Sequence, residues 1–334
     1  MNLHNGTIDI NQYENLTGAV KGALVSSDLW KSENISAYGE NSLFFLPSVA
    51  FVAGGHFLHA VRDQQDRFLS NGDQSGRRTF DLFSPKVGLL WDVDPAWQVF
   101  GNISRSAEVP TFDVNTFASP ASTNVNAQTA TTYEIGTRGR RPDITWDISL
   151  YRAEIRNELQ CLTTGPFTPC TVVNADRTVH QGVEAGLGIA FLKSMFAQED
   201  RVWLNVVYTY SDFRFDGDAT WGNNRLPGVP PHSIRAEVLY KHPNGFYAGP
   251  NVEWMPQAFF ADNANTLTVD PYALLNFKVG YDPGGGWSGY LEGRNLLDTR
   301  YISTTITVGT ANPTMELFNP GTGLSIYGGV RYRM

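Results

Sequence analysis

Apolar and polar residues alternate one for one along most of this chain, and no other feature restricts the fold as much. In GLSIYGGVRYRM, Leu324, Ile326, Val330, Tyr332 and Met334 share one face, while Ser325, Tyr327, Arg331 and Arg333 share the other. In PHSIRAEVLY, Ile234, Ala236, Val238 and Tyr240 alternate with Arg235, Glu237 and Leu239. GFYAGPNVEW sets Phe246, Ala248, Val252 and Trp254 against Tyr247, Asn251 and Glu253. ITWDISL sets Ile144, Trp146, Ile148 and Leu150 against Thr145, Asp147 and Ser149. A period of two is the mark of a β-strand with unlike faces. About thirteen such strands are expected, over 33–46, 48–66, 79–93, 97–108, 130–141, 144–159, 175–192, 201–215, 233–243, 245–259, 271–283, 284–298 and 322–334. Another near 5–14 would make the count even, and 13–32 reads as a surface loop with room for a short helix.

Composition says what the apolar face meets. Charged residues are 17 % of the chain and aromatics 13 %, with 32 glycines, whereas an ordinary soluble domain carries roughly 25 % charged residues. No run of about eighteen apolar residues exists, so membrane helices are excluded. A β-barrel hides its membrane character, because only alternate residues face lipid. Lipid also leaves no water for backbone N–H and C=O groups, so strands that cross it must close or pair throughout.

Loop lengths agree with this reading. FLP, DVDPA, RRPD, HPN and DPGGG are tight turns, and they alternate with longer segments at 67–78, 109–129, 160–174, 216–232, 260–270 and 299–321. Barrels of the bacterial outer membrane have short periplasmic turns and long extracellular loops. Counting back from the last strand puts every long segment outside, with KSMFAQED (193–200) the longest inner join. After Leu150 the apolar side passes to Tyr151, Ala153 and Ile155; either a bulge switches the phase or the strand has left the membrane.

A net charge of −8 argues against a nucleic-acid partner. The opening MNLHNGTIDINQYENL has no basic segment followed by an apolar one, so it is no signal peptide. The expectation is a chain that has lost its leader or starts in mid-protein. Cys161 and Cys170, in CLTTGPFTPC, fit a small disulfide-closed loop in an oxidising compartment, with two free loop thiols as the alternative.

No catalytic constellation stands out, and no metal site is expected. His56 and His59, three apart in a strand, point to opposite faces and make poor joint ligands. His232 reads as structural near a strand start, and His242 as a solvated turn residue. Arg235, Glu237, Glu253, Glu292, Arg294, Arg331 and Arg333 fall on polar faces, where they would pair with one another or attract an anionic ligand. Trp97, Trp146, Trp254, Trp287 and Tyr281 fit interfacial girdles. Phe112, Phe117, Trp221 and Phe260 fall in surface loops, where they would pack the loops or touch a ligand.

Five segments resemble the TonB-dependent receptors of the bacterial outer membrane, in that family's order. They are LFSPKVGLLWDVDPAWQVFGNISRSAEVPTF (82–112), with Arg105 leading to Pro110 and Thr111; TATTYEIGTRGRRPDITWDISLYRAEIRNEL (129–159); NADRTVHQGVEAGLGI (174–189); RLPGVPPHSIRAEVLY (225–240); and YLEGRNLLDTRY (290–301). The resemblance covers roughly 80–334 and implies an all-β, transmembrane, antiparallel up-and-down β-barrel. It also implies that residues 1–334 are part of a barrel of about twenty-two strands. Family members start with a plug domain that carries the TonB contact, and nothing here resembles it. The chain ends in Met334 rather than the usual aromatic.

The implied function is energy-coupled uptake of a scarce nutrient, most often a ferric siderophore, with no enzymatic step and no cofactor. Partners would be the small ligand, outer-membrane lipid, and TonB through the plug. Arg105, Trp221 and Arg225 are the expected ligand contacts, as loop and lumen groups. The rivals are a passive channel or a non-functional truncated barrel and, more remotely, a secreted β-rich adhesin or enzyme.

Overall fold

The computed structural model describes residues 2–17, 20–110, 125–163 and 170–334. Its strands are β1 (Asn2–Leu16), β2 (Val20–Leu46), β3 (Val49–Asp66), β4 (Gly76–Asp94), β5 (Trp97–Glu108), β6 (Gln128–Arg141), β7 (Ile144–Leu162), β8 (Thr171–Lys193), β9 (Arg201–Phe215), β10 (His232–Lys241), β11 (Phe246–Met255), β12 (Phe259–Phe260), β13 (Thr268–Val269), β14 (Tyr272–Tyr281), β15 (Gly286–Arg294), β16 (Ile302–Thr305), β17 (Phe318–Pro320) and β18 (Ser325–Arg333). Fourteen form one sheet, in the order β1 to β11, β14, β15, β18. Each pairs antiparallel with its neighbour in sequence. The up-and-down topology follows from the tight turns, which leave each strand no partner but the next. Among the described residues β1 and β18 do not pair, so the sheet is open at both ends.

Pairing register sorts the side chains into two faces. Phe83, Val87, Leu89 and Trp91 of β4 are exposed, while Leu82, Ser84, Lys86 and Leu90 between them are half-buried. Side chains splay apart on the convex side of a curved sheet and crowd on the concave side, so the exposed apolar face is convex. On it the register aligns Phe51 with Leu89, Ile135 with Leu150, and Pro250 with Phe277. The concave face is polar and internally paired: Lys86 meets Glu40 at 3.3 Å, Arg235 meets Glu253 at 3.7 Å, Arg294 meets Glu292 at 3.0 Å, and Lys278 pairs with Glu237. His56 lies opposite Tyr38 on the concave face, and His59 pairs with Asp81 on the convex one at 2.7 Å. Trp97, Trp146, Trp254, Trp287 and Tyr281 all occupy convex register positions. The Trp97 and Trp146 indole N–H groups both donate to Thr137 Oγ1, at 2.8 and 3.3 Å.

One expectation is corrected, and one open alternative is decided. The described residues of 13–32 hold no helix: most of them are strand, in β1 and the first half of the 27-residue β2. The segment's polar residues suggest a loop, but β1 and β2 pair as one long hairpin from Asn2 opposite Ser36 to Leu16 opposite Val20, with most β1 side chains exposed and Leu29 and Trp30 of β2 buried. The phase change after Leu150 is no bulge, since β6 and β7 keep one register from Thr129 opposite Arg156 to Arg141 opposite Ile144. Arg152, Glu154 and Arg156 simply continue the convex face past the belt. The long connections also hold two short hairpins, β12–β13 and β16–β17, that residues this irregular in pattern do not announce.

The longest inner turn, 194–200, is organised by one carboxylate. Asp200 is fully buried and accepts the N–H groups of Met195, Phe196 and Ala197 at 2.7–2.9 Å and the Tyr240 hydroxyl at 3.0 Å. Burial alone would raise its pKa, but these hydrogen bonds win and hold it at about 2. The depressed value fixes the sign of the linkage. The stabilisation is complete above the unfolded carboxyl value of about 3.9 and is lost as pH falls towards the folded one. Asp200→Asn, which turns an amide NH2 towards donors, should speed tryptic cleavage at the flanking Lys193 and Arg201 by about tenfold at neutral pH. It should also abolish the extra protease sensitivity that the native turn gains between pH 4 and 2. Unchanged cleavage would mean that the strands alone hold this turn.

Candidate ligand-binding face

The outer connections do not extend separately into solvent. The β9–β10 connection doubles back on β9, where Phe215 N–H donates to Asn224 O and Leu226 N–H to Phe213 O, both at 2.9 Å. Its apolar residues pack inward, so that Ala175, Phe215 and Leu226 form a buried cluster with Trp221 half-buried against it. The β11–β14 connection builds a second cluster from Phe259, Ala261 and Val269, with Leu267 and Ile302 on its edge.

One aspartate fastens these pieces. Asp262 is fully buried and accepts Thr266 N–H at 2.8 Å, Thr266 Oγ1 at 2.5 Å, Leu267 N–H at 3.1 Å and Ala311 N–H at 3.0 Å. Asn265 clamps the backbone of Arg225, accepting its N–H and donating to its C=O, both at 2.9 Å. Asn263 N–H donates to Val308 O at 3.0 Å, and Thr163 N–H to Thr307 O at 3.2 Å. Four connections, beyond β7, β9, β11 and β15, thus become one cap. Burial tends to raise the pKa of Asp262, but its four hydrogen bonds outweigh that and hold the group below the usual carboxylate range.

Beneath the cap the concave wall carries an aromatic and acid cluster. His180 stacks on Phe213 with ring centroids 4.1 Å apart, and its Nε2 lies 3.3 Å from Glu158 Oε2. Glu158 also accepts the Thr178 hydroxyl. Strand parity would send Glu158 to the convex side; Asn157, at φ 54°, turns it inward. No pattern of residue types announces a left-handed asparagine inside a strand, so this cluster was not legible beforehand.

The three residues chosen on chemistry are not brought together. Trp221 sits in the cap, 6.5 Å from the Phe215 ring. Arg225 is held in the cap by its backbone, while its guanidinium approaches Asp212 at 3.9 Å, a convex position paired with Gln181. Arg105 is exposed and pairs with Thr131 one step beyond Ile103 and Tyr133, hence on the convex face. Both arginines were expected as loop or lumen groups: Arg225 lies in the β9–β10 connection, while the register turns Arg105 to the convex face. Cys161 and Cys170 form a disulfide, with Cα atoms 5.3 Å apart. Phe112 and Phe117 lie outside the described residues, and Phe260 is in β12. Among the described residues no cluster of His, Cys, Asp or Glu could hold a metal ion.

Comparison with known proteins places this architecture. Residues 3–296 match the family described as TonB dependent receptor-like, beta-barrel. The unliganded ferric citrate transporter FecA superposes with a TM-score of 0.78 at 18 % identity, over 98 % of this chain and 50 % of that one. The copper transporter OprC gives 0.73 at 14 %, over 98 % and 53 %. The ferric yersiniabactin uptake receptor FyuA from Yersinia pestis gives 0.68 at 18 %, over 91 % and 46 %. The chain spans about half the length of these structures, and at such identities they share its fold. With most of its length inside the family match and its sheet superposing on their barrels, the chain belongs to the TonB-dependent receptor β-barrels, a family of outer-membrane receptors and transporters rather than enzymes.

Proposed function

We propose that this chain is the back of a barrel that takes up a scarce nutrient by energy coupling, with a ferric siderophore as the first candidate ligand. The observation that carries the reading is the fastened cap standing over the polar concave wall. The His180, Phe213 and Glu158 cluster on the wall beneath it supplies aromatic and charged groups of the kind that line small-molecule sites. Among the similar structures, several are named for ferric chelates and one for copper. TonB would act through a plug region of the kind that precedes the barrel in this family, and membrane lipid would cover the convex belt.

Trp221 is the cap residue best placed to touch a ligand, with His180 and Glu158 below it. Arg225 stands at the rim, and Arg105 meets only what approaches from the membrane side. The passive-channel alternative needs β1 to pair with β18, a pairing absent among the described residues.

Radio-iron binding and uptake by cells producing the receptor tests this. Catecholate, hydroxamate and hydroxycarboxylate chelates would be offered, with Cu(II) as competitor. One chelate class should bind saturably, and a protonophore should stop its uptake. Trp221→Ala or His180→Ala should weaken binding by about tenfold, while Arg105→Ala should leave it unchanged. Binding of copper with no ferric chelate would change the ligand. Uptake indifferent to the protonophore would favour the channel.

A further inference from the structure

The convex belt is not uniformly filled. Gly101 occupies a convex position between Leu89 of β4 and Ile135 of β6. With no side chain there, a cleft of about 690 Å³ opens, walled by Phe51, Leu89, Ile103, Ile135 and Leu150. Backbone packing does not demand this glycine. A Cβ at 101 would meet only the Glu134 carbonyl oxygen, at an ordinary 3.6 Å. Gly139 shows the contrast: a Cβ there would lie 2.3 Å from the Trp146 ring that covers it. The space above Gly101 is therefore an open apolar groove.

The groove ends in positive charge. Tyr133 and Arg152 stand at its outer end. Arg152 Nη1 donates to Gln181 Oε1 at 2.8 Å and its Nε to Glu154 Oε1 at 3.2 Å, with about half of the side chain still exposed. Arg105, the next convex residue after Ile103, is exposed and makes no ion pair among the described residues. Arg156 and Arg177 face each other one step farther out, both exposed. Asp216, beside Arg177, and Asp212, which accepts from Gln181 at 2.8 Å and is approached by Arg214 and Arg225, are nearby carboxylates besides Glu154, which is interleaved with these four arginines. All of them lie where β5, β7 and β8 run out to the long connections at 109–127 and 163–170, the extracellular side by loop length.

An apolar trough open to the membrane, with guanidinium groups at its outer end, matches an amphiphile with an anionic head. We propose that this groove binds a phosphate-bearing acyl lipid of the outer leaflet, with an acyl chain over Gly101 and the phosphate at Arg152 and Arg105. The site is on the opposite face of the sheet from the His180 and Glu158 cluster, so it stands or falls independently of the nutrient.

The test is native mass spectrometry of the receptor extracted from membranes in mild detergent, with diphosphoryl lipid A as probe and a diacylglycerol as its uncharged control. One lipid A should be retained, and the diacylglycerol should not. Gly101→Leu, which fills the trough, and the paired Arg105→Gln and Arg152→Gln should each lower retention by about tenfold. Ala248→Leu, which adds bulk on the convex face of β11, should leave it unchanged. Heat-modifiable gel mobility reports folding; if Gly101→Leu does not fold, the two exposed arginines carry the test. Equal retention by the native protein and the arginine variant, or retention of diacylglycerol to the same extent as lipid A, would overturn the proposal and leave ordinary solvation by membrane lipid.

Discussion

Replacing Asp262 by Ala should unfasten the outer cap and leave the sheet intact. The carboxylate is fully buried and satisfies three backbone N–H groups and one hydroxyl. Alanine returns none of these bonds, and each donor left dry costs free energy unless water reaches it. Because the cap is at the surface, water will reach some, and the net loss should be about 3 kcal/mol of local stability, a factor of roughly a hundred. Amide hydrogen exchange reads this residue by residue: Thr266, Leu267 and Ala311 should exchange about a hundredfold faster. Amides in the middle of β8 and β9 should not change, since the ladder there owes nothing to the cap.

The pH dependence has a definite sign. The native carboxyl is held below its unfolded value, so its contribution is complete above the unfolded value near 3.9 and disappears as pH falls through the lower native one. Protection at the three amides, with the intrinsic pH dependence of exchange divided out, should fall on acidification in the native protein and stay low and flat in the variant. Unchanged protection in Asp262→Ala at neutral pH would mean that the apolar cluster of Phe259, Ala261 and Val269 alone holds the cap.

The fold was legible from sequence because its governing signal is local. Alternation needs only neighbouring residues, and tight turns such as HPN and DPGGG fix the partner of each strand. Topology therefore followed from counting, and the thirteen or fourteen strands expected are the fourteen of the main sheet. The failures occur where the local signal stops meaning burial. In the β1–β2 hairpin nearly every β1 side chain is exposed, so alternate residues are not sorted by burial, and its polar residues read as a loop although the strands pair.

The site was less legible for a related reason. Strand parity sets Arg105 on the face of Ile103, but it does not run through the β9–β10 connection that holds Arg225. The inward turn of Glu158 depends on one left-handed residue, Asn157. The cap depends on contacts between segments far apart in sequence, such as Asn263 with Gln160 at the end of β7 at 3.1 Å. Neither leaves a periodic trace.

A single charge placed on the belt tests the assignment of faces most severely. Ile135→Arg puts a guanidinium at an exposed convex position between Gly101 and Leu150, and near the middle of a bilayer this costs about 2–4 kcal/mol. Thr131 lies on the same strand and the same face, two convex steps farther out, opposite Arg105 and Glu154. There the chain already carries charge, and Thr131→Arg should cost within about 1 kcal/mol, as expected near the interface. Glu134→Gln, on the concave face where the carboxylate accepts from Asn102 at 2.8 Å, loses one charge-assisted bond without meeting lipid and should stay well below Ile135→Arg. Reversible urea unfolding from phospholipid vesicles measures all three. The steep drop between 131 and 135 is the decisive quantity. A soluble sheet would show no such step, because water would reach both positions alike. Equal costs at 131 and 135 would therefore remove the membrane from the convex face and, with it, the outer-membrane orientation of the whole chain.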